Sequence, residues 1–352
     1  MPTTTINPGD SIQTDGHDVA SAGDTVSMTP GEYFSQSVNV TKNNMTFQSS
    51  TGTASDVVIY GGPEVTGFIV AGAYWKANSG LTLSQELDPQ YPAQFETAYG
   101  AVAGEQLMCV VNTDYYHHVN SSGDLGDAVP TGAAGNFWYD YGTDELWVSL
   151  NPSGKTVVLS TQDDAFSGAA TGTTIQNVTI GGYKTQTQRG AVGGGASDSH
   201  GTGWTLDNLD VFGVFGVGVK FVNDTCVLQN STVRSCGQML VGASGSGEWP
   251  PNEASRKGEN NIMDVTIHNN YLYYGNMKGV KPGWEAGATK FAWIDKLSVT
   301  HNEVYNNYGF ALWTDINCYD ILYKWNYVHD NWGTESNMRF RIRRRSLRTG
   351  CY

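Results

Sequence analysis

Charge is scarce in this chain of 352 residues: Asp, Glu, Lys and Arg make up 15% of it. Long surface helices draw on Glu, Lys, Ala and Leu, so the composition argues against a helical protein. No run of about 18 apolar residues occurs, and no transmembrane helix or membrane partner is expected. Cysteines are few. Cys109, Cys226, Cys236, Cys318 and Cys351 are scattered, odd in number and without CxxC spacing, which signals neither a disulfide framework nor zinc. They read as free thiols in a large core. The opening Met1-Pro2-Thr3-Thr4-Thr5 has no basic or apolar leader region. Positive charge is scarcest of all: the net charge is −14, which argues against nucleic acid as a partner. Six of the nine arginines (Arg339, Arg341, Arg343, Arg344, Arg345, Arg348) sit in the last fourteen residues, so a polyanionic substrate needs a local basic patch.

What is abundant is glycine, with 43 residues, and aromatic side chains at 12%. Together with Asn, Thr and Ser between short apolar runs such as Val57-Val58-Ile59-Tyr60, this suits many short strands joined by tight turns. One hexad recurs: apolar, any, polar, polar, any, apolar. It reads Ile175-Gln176-Asn177-Val178-Thr179-Ile180, then Leu206-Asp207-Asn208-Leu209-Asp210-Val211, then Leu228-Gln229-Asn230-Ser231-Thr232-Val233. It returns as Ile267-His268-Asn269-Asn270-Tyr271-Leu272, Val299-Thr300-His301-Asn302-Glu303-Val304 and Tyr323-Lys324-Trp325-Asn326-Tyr327-Val328. The starts are 31, 22, 39, 32 and 24 residues apart, which fits coils of a β-solenoid, some carrying loops. Apolar positions point inward, and each Asn stacks on that of the next coil as polar ladders do. Glycine at Asn307-Tyr308-Gly309 and Asn331-Trp332-Gly333 allows the positive-φ corner into the next strand. The fold expected is all-β, a right-handed parallel β-helix with a small antiparallel β insertion. An ordinary β-sandwich explains the strands but not six copies of one hexad.

The segment Gly23-Asp24-Thr25-Val26-Ser27-Met28-Thr29-Pro30-Gly31-Glu32-Tyr33 resembles the entry coil of pectate-lyase-like β-helix proteins. Four regions follow. Residues 1–60 form the N-terminal coils and cap. In 61–165 the hexad vanishes, and aromatic strands with a hairpin at Tyr141-Gly142-Thr143-Asp144 mark an inserted subdomain that can roof one end of a cleft. The main helix covers 166–336. Residues 337–352 are an anomalous basic tail with neither hexad nor alternation. Restoring one nucleotide near Thr334 gives Gly-Ile-Tyr-Tyr-Glu-Ile-Ser-Tyr, a further coil, so a shifted reading frame is expected there; sequencing the locus checks it.

Chemistry concentrates in residues 283–315. Glu285 and Lys290 lie on one coil, and Asp315 lies on the equivalent strand one coil later. Coils stack about 4.8 Å apart. Two carboxylates one or two steps apart fall in the roughly 5–9.5 Å range of glycoside-cleaving pairs. Lys290 beside them neutralises a carboxylate or serves as a base. Trp284, Trp313, Trp332 and Tyr308 supply flat faces for sugar rings. Asp198-Ser199-His200 reads as a Gly-rich loop rather than a triad, and His301 and His329 as members of the polar ladder. His117-His118 lacks a third metal ligand. Asp163-Asp164 and Asp207/Asp210 are oxygen donors for Ca²⁺ without a specific spacing, and no metal site is assigned.

These segments resemble a group of bacterial β-helix repeat proteins in which Glu-x-Gly-x-Thr-Lys, Gly-x-x-Leu-Trp-x-Asp and Glu-Ile-Ser segments occupy successive coils. The resemblance covers residues 1–336 loosely and 283–333 closely. Glu285, Lys290, Trp313 and Asp315 match; the Glu-Ile-Ser segment is absent. The polygalacturonase, alginate-epimerase and pectate-lyase site signatures are also absent. The wider superfold implies an extracellular or secreted protein acting on a polysaccharide, with Ca²⁺ used by many of its lyases. Two functions remain open: a hydrolase or lyase built on Glu285, Asp315 and Lys290, or a non-catalytic glycan-binding β-helix of adhesin or viral-spike type. A monomer and a trimer are equally compatible with the sequence.

Overall fold

Ile175, Leu206, Leu228, Ile267, Val299 and Tyr323, the first residues of the six hexads, stand directly beside one another on successive parallel strands. The last residues do the same: Ile180, Val211, Val233, Leu272, Val304 and Val328 form a second column. Both columns point into one continuous core with Val26, Phe47, Phe166, Phe221 and Phe291. In this computed structural model the chain is a right-handed parallel β-helix. The structure describes residues 2–88, 94–95, 104–194, 200–246 and 261–332, and the backbone of 338–340.

Each coil contributes to three ladders. The first ends in Ile262–His268, Ile294–Thr300 and Tyr319–Lys324. The second ends in Thr232–Cys236, Tyr271–Gly275, Glu303–Tyr305 and Tyr327–His329. The third runs Gly190–Gly193, Val217–Phe221, Met239–Ser244, Gly287–Ala292, Leu312–Thr314 and Met338–Phe340. The bend between first and second ladders is the hexad's third position. Asn177, Asn208, Asn230 and Asn269 take φ of 58°, 52°, 52° and 56° there. Asn tolerates this left-handed conformation better than other residues with a Cβ. His301 takes the same bend at 59°, as histidine also does more readily than most, and Trp325 takes it at 57°, so the last coil forces it on a bulky side chain that does not favour it.

Two asparagine ladders form. On the outside, Asn208 donates to Asn177 and Asn269 to Asn230, each at 2.8 Å. On the inside, the buried Asn302 accepts from the Asn270 backbone N–H and side-chain amide at 3.0 and 2.9 Å. Its own amide donates to Ile267 O and Asn326 Oδ1. Asn302→Ala therefore orphans several buried groups, each costing about 1–3 kcal/mol in part offset by relaxation. The expected loss is about 2 kcal/mol in urea unfolding, against under about 1 kcal/mol for Asn208→Gly on the exposed ladder. Equal losses would mean that the inner ladder is not the stabilising one.

The inserted region forms a separate seven-stranded sheet between Ile69–Ala71 and Val157–Leu159. The 141–144 hairpin joins Gly135–Asp140 to Glu145–Val148 antiparallel, with Asp140 beside Glu145. One pair departs from the all-antiparallel expectation: Asp114–His118 runs parallel to Gly135–Asp140. A parallel neighbour needs a long crossover, and residues 119–134, including the helical turn Ser122–Gly126, supply it. The sheet packs on the second ladder through Val110 and Val158 against Val58, Tyr60 and Phe212. Cys109, Cys226, Cys236 and Cys318 are buried free thiols. No helix among the described residues is long and apolar enough to cross a membrane. The basic tail, apart from the 338–340 backbone, lies outside the described residues, as do Gly333, Cys351, Asp198 and Ser199.

Candidate functional site

The third ladder holds Gly193, Lys220, Gly242 and Lys290 in one register on four successive strands. On the fifth strand Trp313 stands one position before the paired Phe291 and Thr314. Phe291 faces the core, and strand alternation turns its neighbour Lys290 outward. Asp315 follows the fifth strand, its N–H donating to Phe291 O at 2.9 Å. The coil step thus delivers Asp315 beside Lys290: Lys290 Nζ lies 3.3 Å from Asp315 Oδ2.

Glu285 arrives by a different route. Pro282 opens the single helical turn Pro282–Glu285, where its fixed φ and missing N–H fit the first position. Glu285 then stands at φ 141°, a conformation that residues with a Cβ rarely adopt and that stores about 1–3 kcal/mol. The buried Gln238 clamps it: its Nε2 donates to Glu285 O at 2.9 Å, and its Oε1 accepts from the Gln188 N–H at 2.6 Å. So held, the Glu285 carboxylate meets the Lys290 ammonium. Two oxygens in hydrogen-bond reach of one nitrogen are less than about 6.5 Å apart. Lys290 and Asp315 side chains are each 11% exposed and Glu285 28%, so solvent reaches the trio from the Glu285 side. A pocket of about 100 Å³ opens there, lined by Glu285, Lys290, Lys220, Gln188, Ser244 and Trp293.

The four aromatic residues have different fates. Trp313 is 3% exposed, with Lys290 Nζ 4.6 Å from its ring centroid and Phe310 edge-on at 4.9 Å. Its face is occupied by the ammonium, not open to a sugar. Trp284 and Tyr308 are half-buried against a cluster that includes Phe95, Met108 and Tyr115 of the insertion and Phe215, Met277 and Val280 of the helix. Trp332 is 48% exposed and tilts over Tyr308 with centroids 4.8 Å apart. The insertion touches the segment that carries Glu285: Phe95 bridges Val280, and the Lys281 N–H donates to Gln94 O at 2.8 Å.

The remaining sequence-level candidates have other partners. Asp210 holds Arg234 at 3.0 Å, and Asp207 accepts from Asn230 at 2.8 Å. Burial raises the Asp163 and Asp164 carboxyls above the usual range. His118 is buried against Phe137 with centroids 4.4 Å apart, and burial, then Lys278 and His117, push its imidazole well below the usual range. Among the described residues no group of three His, Cys, Asp or Glu side chains gathers as a metal site would. His200 is buried, and its Nε2 accepts from the Val222 N–H at 2.7 Å. Lys220, Gln238 and the buried Lys278 were not foreseen, because each acts across coils or across the insertion.

No protein-family model and no curated protein matches the chain. Its likeness is to solved structures. A complex of XylC with xylose superposes with a TM-score of 0.67 at 12% identity, over 94% of this chain and 62% of that one. A structure described as a glycoside hydrolase gives a TM-score of 0.57 at 10% identity, over 96% and 89%. This chain thus spans 62% of the length of the XylC chain. At such identities the likeness is one of fold.

Proposed function

We propose that this protein is a carbohydrate-active enzyme that cleaves a polysaccharide at the Glu285–Lys290–Asp315 trio. The observation that carries the reading is the convergence of two carboxylates from adjacent coils on one largely buried ammonium beside an open pocket. A flat binding face has no need to bring like charges together. Two carboxyl groups at one centre are what cleavage of a glycosidic bond uses, one as acid and the other as nucleophile or base. The strained backbone at Glu285 supports a functional reading, since such strain persists where surroundings impose it. The half-exposed Trp332, with Tyr308 and Trp284 beyond it, supplies apolar surface for sugar rings; Trp313 instead backs Lys290. The folds of XylC, solved with xylose, and of a glycoside hydrolase are in keeping with this reading.

A screen of polysaccharides tests it, reading reducing ends and absorbance at 235 nm together. Reducing ends without absorbance are expected, the mark of hydrolysis, and Glu285→Gln should remove them. Both signals together would mean β-elimination, with Lys290 as the base. No signal on any substrate would leave the non-catalytic glycan-binding reading.

A further inference from the structure

The second ladder changes character where the insertion stops covering it. Its earlier coils lie under the inserted sheet, where Arg234 donates to Thr113 O at 2.8 Å and Ser235 to Gly132 O at 3.2 Å. Beyond that wall two outward columns continue along the axis. The inner column is Arg234, Tyr273, Tyr305 and His329; the outer is Thr232, Tyr271, Glu303 and Tyr327. The inner rings spend their faces on each other: Tyr273 and Tyr305 stack at 4.9 Å, and Tyr305 and His329 at 5.1 Å with 1° between planes. That column is cohesive and offers only edges.

The outer column is different. Tyr271 and Tyr327 are 52% and 63% exposed, the rings of two coils with a third between them. Two coil steps set them about 10 Å apart. The residue between them is Glu303, whose side chain is 36% exposed. Tyr327 rests one face on His329 at 4.3 Å, which fixes the ring. His329 in turn bonds Glu303 at 3.1 Å and Asp330 at 2.7 Å, and those two hydrogen bonds raise its imidazole pKa, so the charged form that pins Glu303 is favoured. The result is an ordered aromatic–carboxylate–aromatic row at the foot of the insertion. Large exposed aromatic faces with a fixed hydrogen-bonding group between them are unlike a scattered apolar surface.

We propose that Tyr271, Glu303 and Tyr327 form a non-catalytic binding row for an extended, uncharged sugar chain. The C–H faces of two sugar units, one unit apart, lie on the two tyrosines, and hydroxyl groups of the unit between them donate to Glu303. The occupant is uncharged because the row presents Glu303 and Asp330 within a chain of net charge −14 and its one cation, His329, is already shared by both. The row lies on the second ladder, whereas Lys290 and Asp315 stand at the third, so binding here needs no catalytic step.

Affinity electrophoresis of the full chain tests this in gels containing hydroxyethylcellulose, arabinoxylan, galactomannan or, as the anionic probe, alginate. The Glu285→Gln variant is used so that the matrix is not degraded, and its retention is read independently of cleavage. Retardation in at least one neutral gel is expected, with apparent affinity falling at least fivefold in Tyr271→Ala/Tyr327→Ala and largely kept in Tyr271→Phe/Tyr327→Phe, which preserves the rings. The paired Phe variant also controls for folding. No retardation in any neutral gel, undiminished retardation of the Ala pair, or stronger retardation in alginate would each overturn the proposal. Cleavage without this retention would leave the catalytic reading standing, and retention without cleavage the reverse.

Discussion

Glu105→Gln should destabilise the protein by about 1 kcal/mol at pH 7, an effect that fades above pH 8, because one pH unit below the Lys278 pKa is worth about 1.4 kcal/mol before the lysine sheds its proton. Glu105 lies 1% exposed in the insertion, accepting from Tyr141 and from Gln85 at 3.1 Å, with His118 Nδ1 3.7 Å away. Lys278, 2% exposed, lies on the helix side of the same interface, donating to Leu107 O at 3.2 Å. Burial pushes the Lys278 ammonium down to about 8, with Glu105 opposing that fall. Between pH 8 and the ordinary lysine value the folded chain has released this proton and the unfolded chain still holds it. The unfolded state then binds more protons, so this group makes stability rise with pH through that window, by about 3 kcal/mol in all, and its burial penalty is felt in full below pH 8. Removing the Glu105 charge leaves a buried cation with less compensation, which is costly while Lys278 is charged and cheap once it is neutral. Glu105→Gln/Lys278→Met should recover most of the loss at pH 7, since Met keeps the apolar stem without the charge. Urea midpoints at pH 7 and pH 9.5 provide the measurement; a loss unchanged between them would mean that the two charges are not coupled.

That interface also marks where the sequence stops being readable. The hexads were legible because a solenoid repeats its environment: the same inward positions and the same Asn bend recur, and six noisy copies reinforce one another, as the two aligned columns from Ile175 and Ile180 show. The proximity of Lys290 and Asp315 was legible for the same reason, since a fixed coil step converts sequence offset into distance. The insertion has no such repeat. Glu105, His118, Tyr141 and Lys278 meet through tertiary packing between segments up to 173 residues apart, and no spacing announces it. The parallel pair at Tyr116 and Gly135 was missed for lack of any local sign of its crossover. Burial of Trp313 was likewise hidden. An outward position on a strand is ordinarily exposed, but here the neighbouring coil lays Lys290 across it. The exposed tyrosines of the outer column sit inside hexads, where an aromatic at a variable position carries no mark of its own.

If the trio cleaves as proposed, Asp315→Asn and Glu285→Gln each lower kcat by about a thousandfold, within the range for losing one acid–base or nucleophilic group, and the reaction keeps the configuration at the cleaved carbon. The second expectation follows from distance. Oxygens sharing one ammonium lie closer than the roughly 6.5–9.5 Å that leaves room for a water between the carboxyl groups, and nearer the about 5–5.5 Å of pairs in which one carboxylate attacks the sugar directly. The two have unequal settings. Asp315 is tied to the core by its backbone and sits deeper against Lys290, the placement of a nucleophile. Glu285 is more exposed, at the end of a helical turn facing the pocket, where a leaving oxygen can reach it as acid and a water as base. Azide distinguishes the roles on a substrate with a good leaving group. In Asp315→Ala it should replace the missing nucleophile and give a glycosyl azide of inverted configuration. In Glu285→Ala it should attack the covalent intermediate and give the retained one. The opposite assignment of products would exchange the two roles. Inversion by the unaltered protein would mean that Lys290 moves away during the reaction and a water enters between the carboxylates, so that the trio seen here is a resting arrangement rather than the one that cleaves.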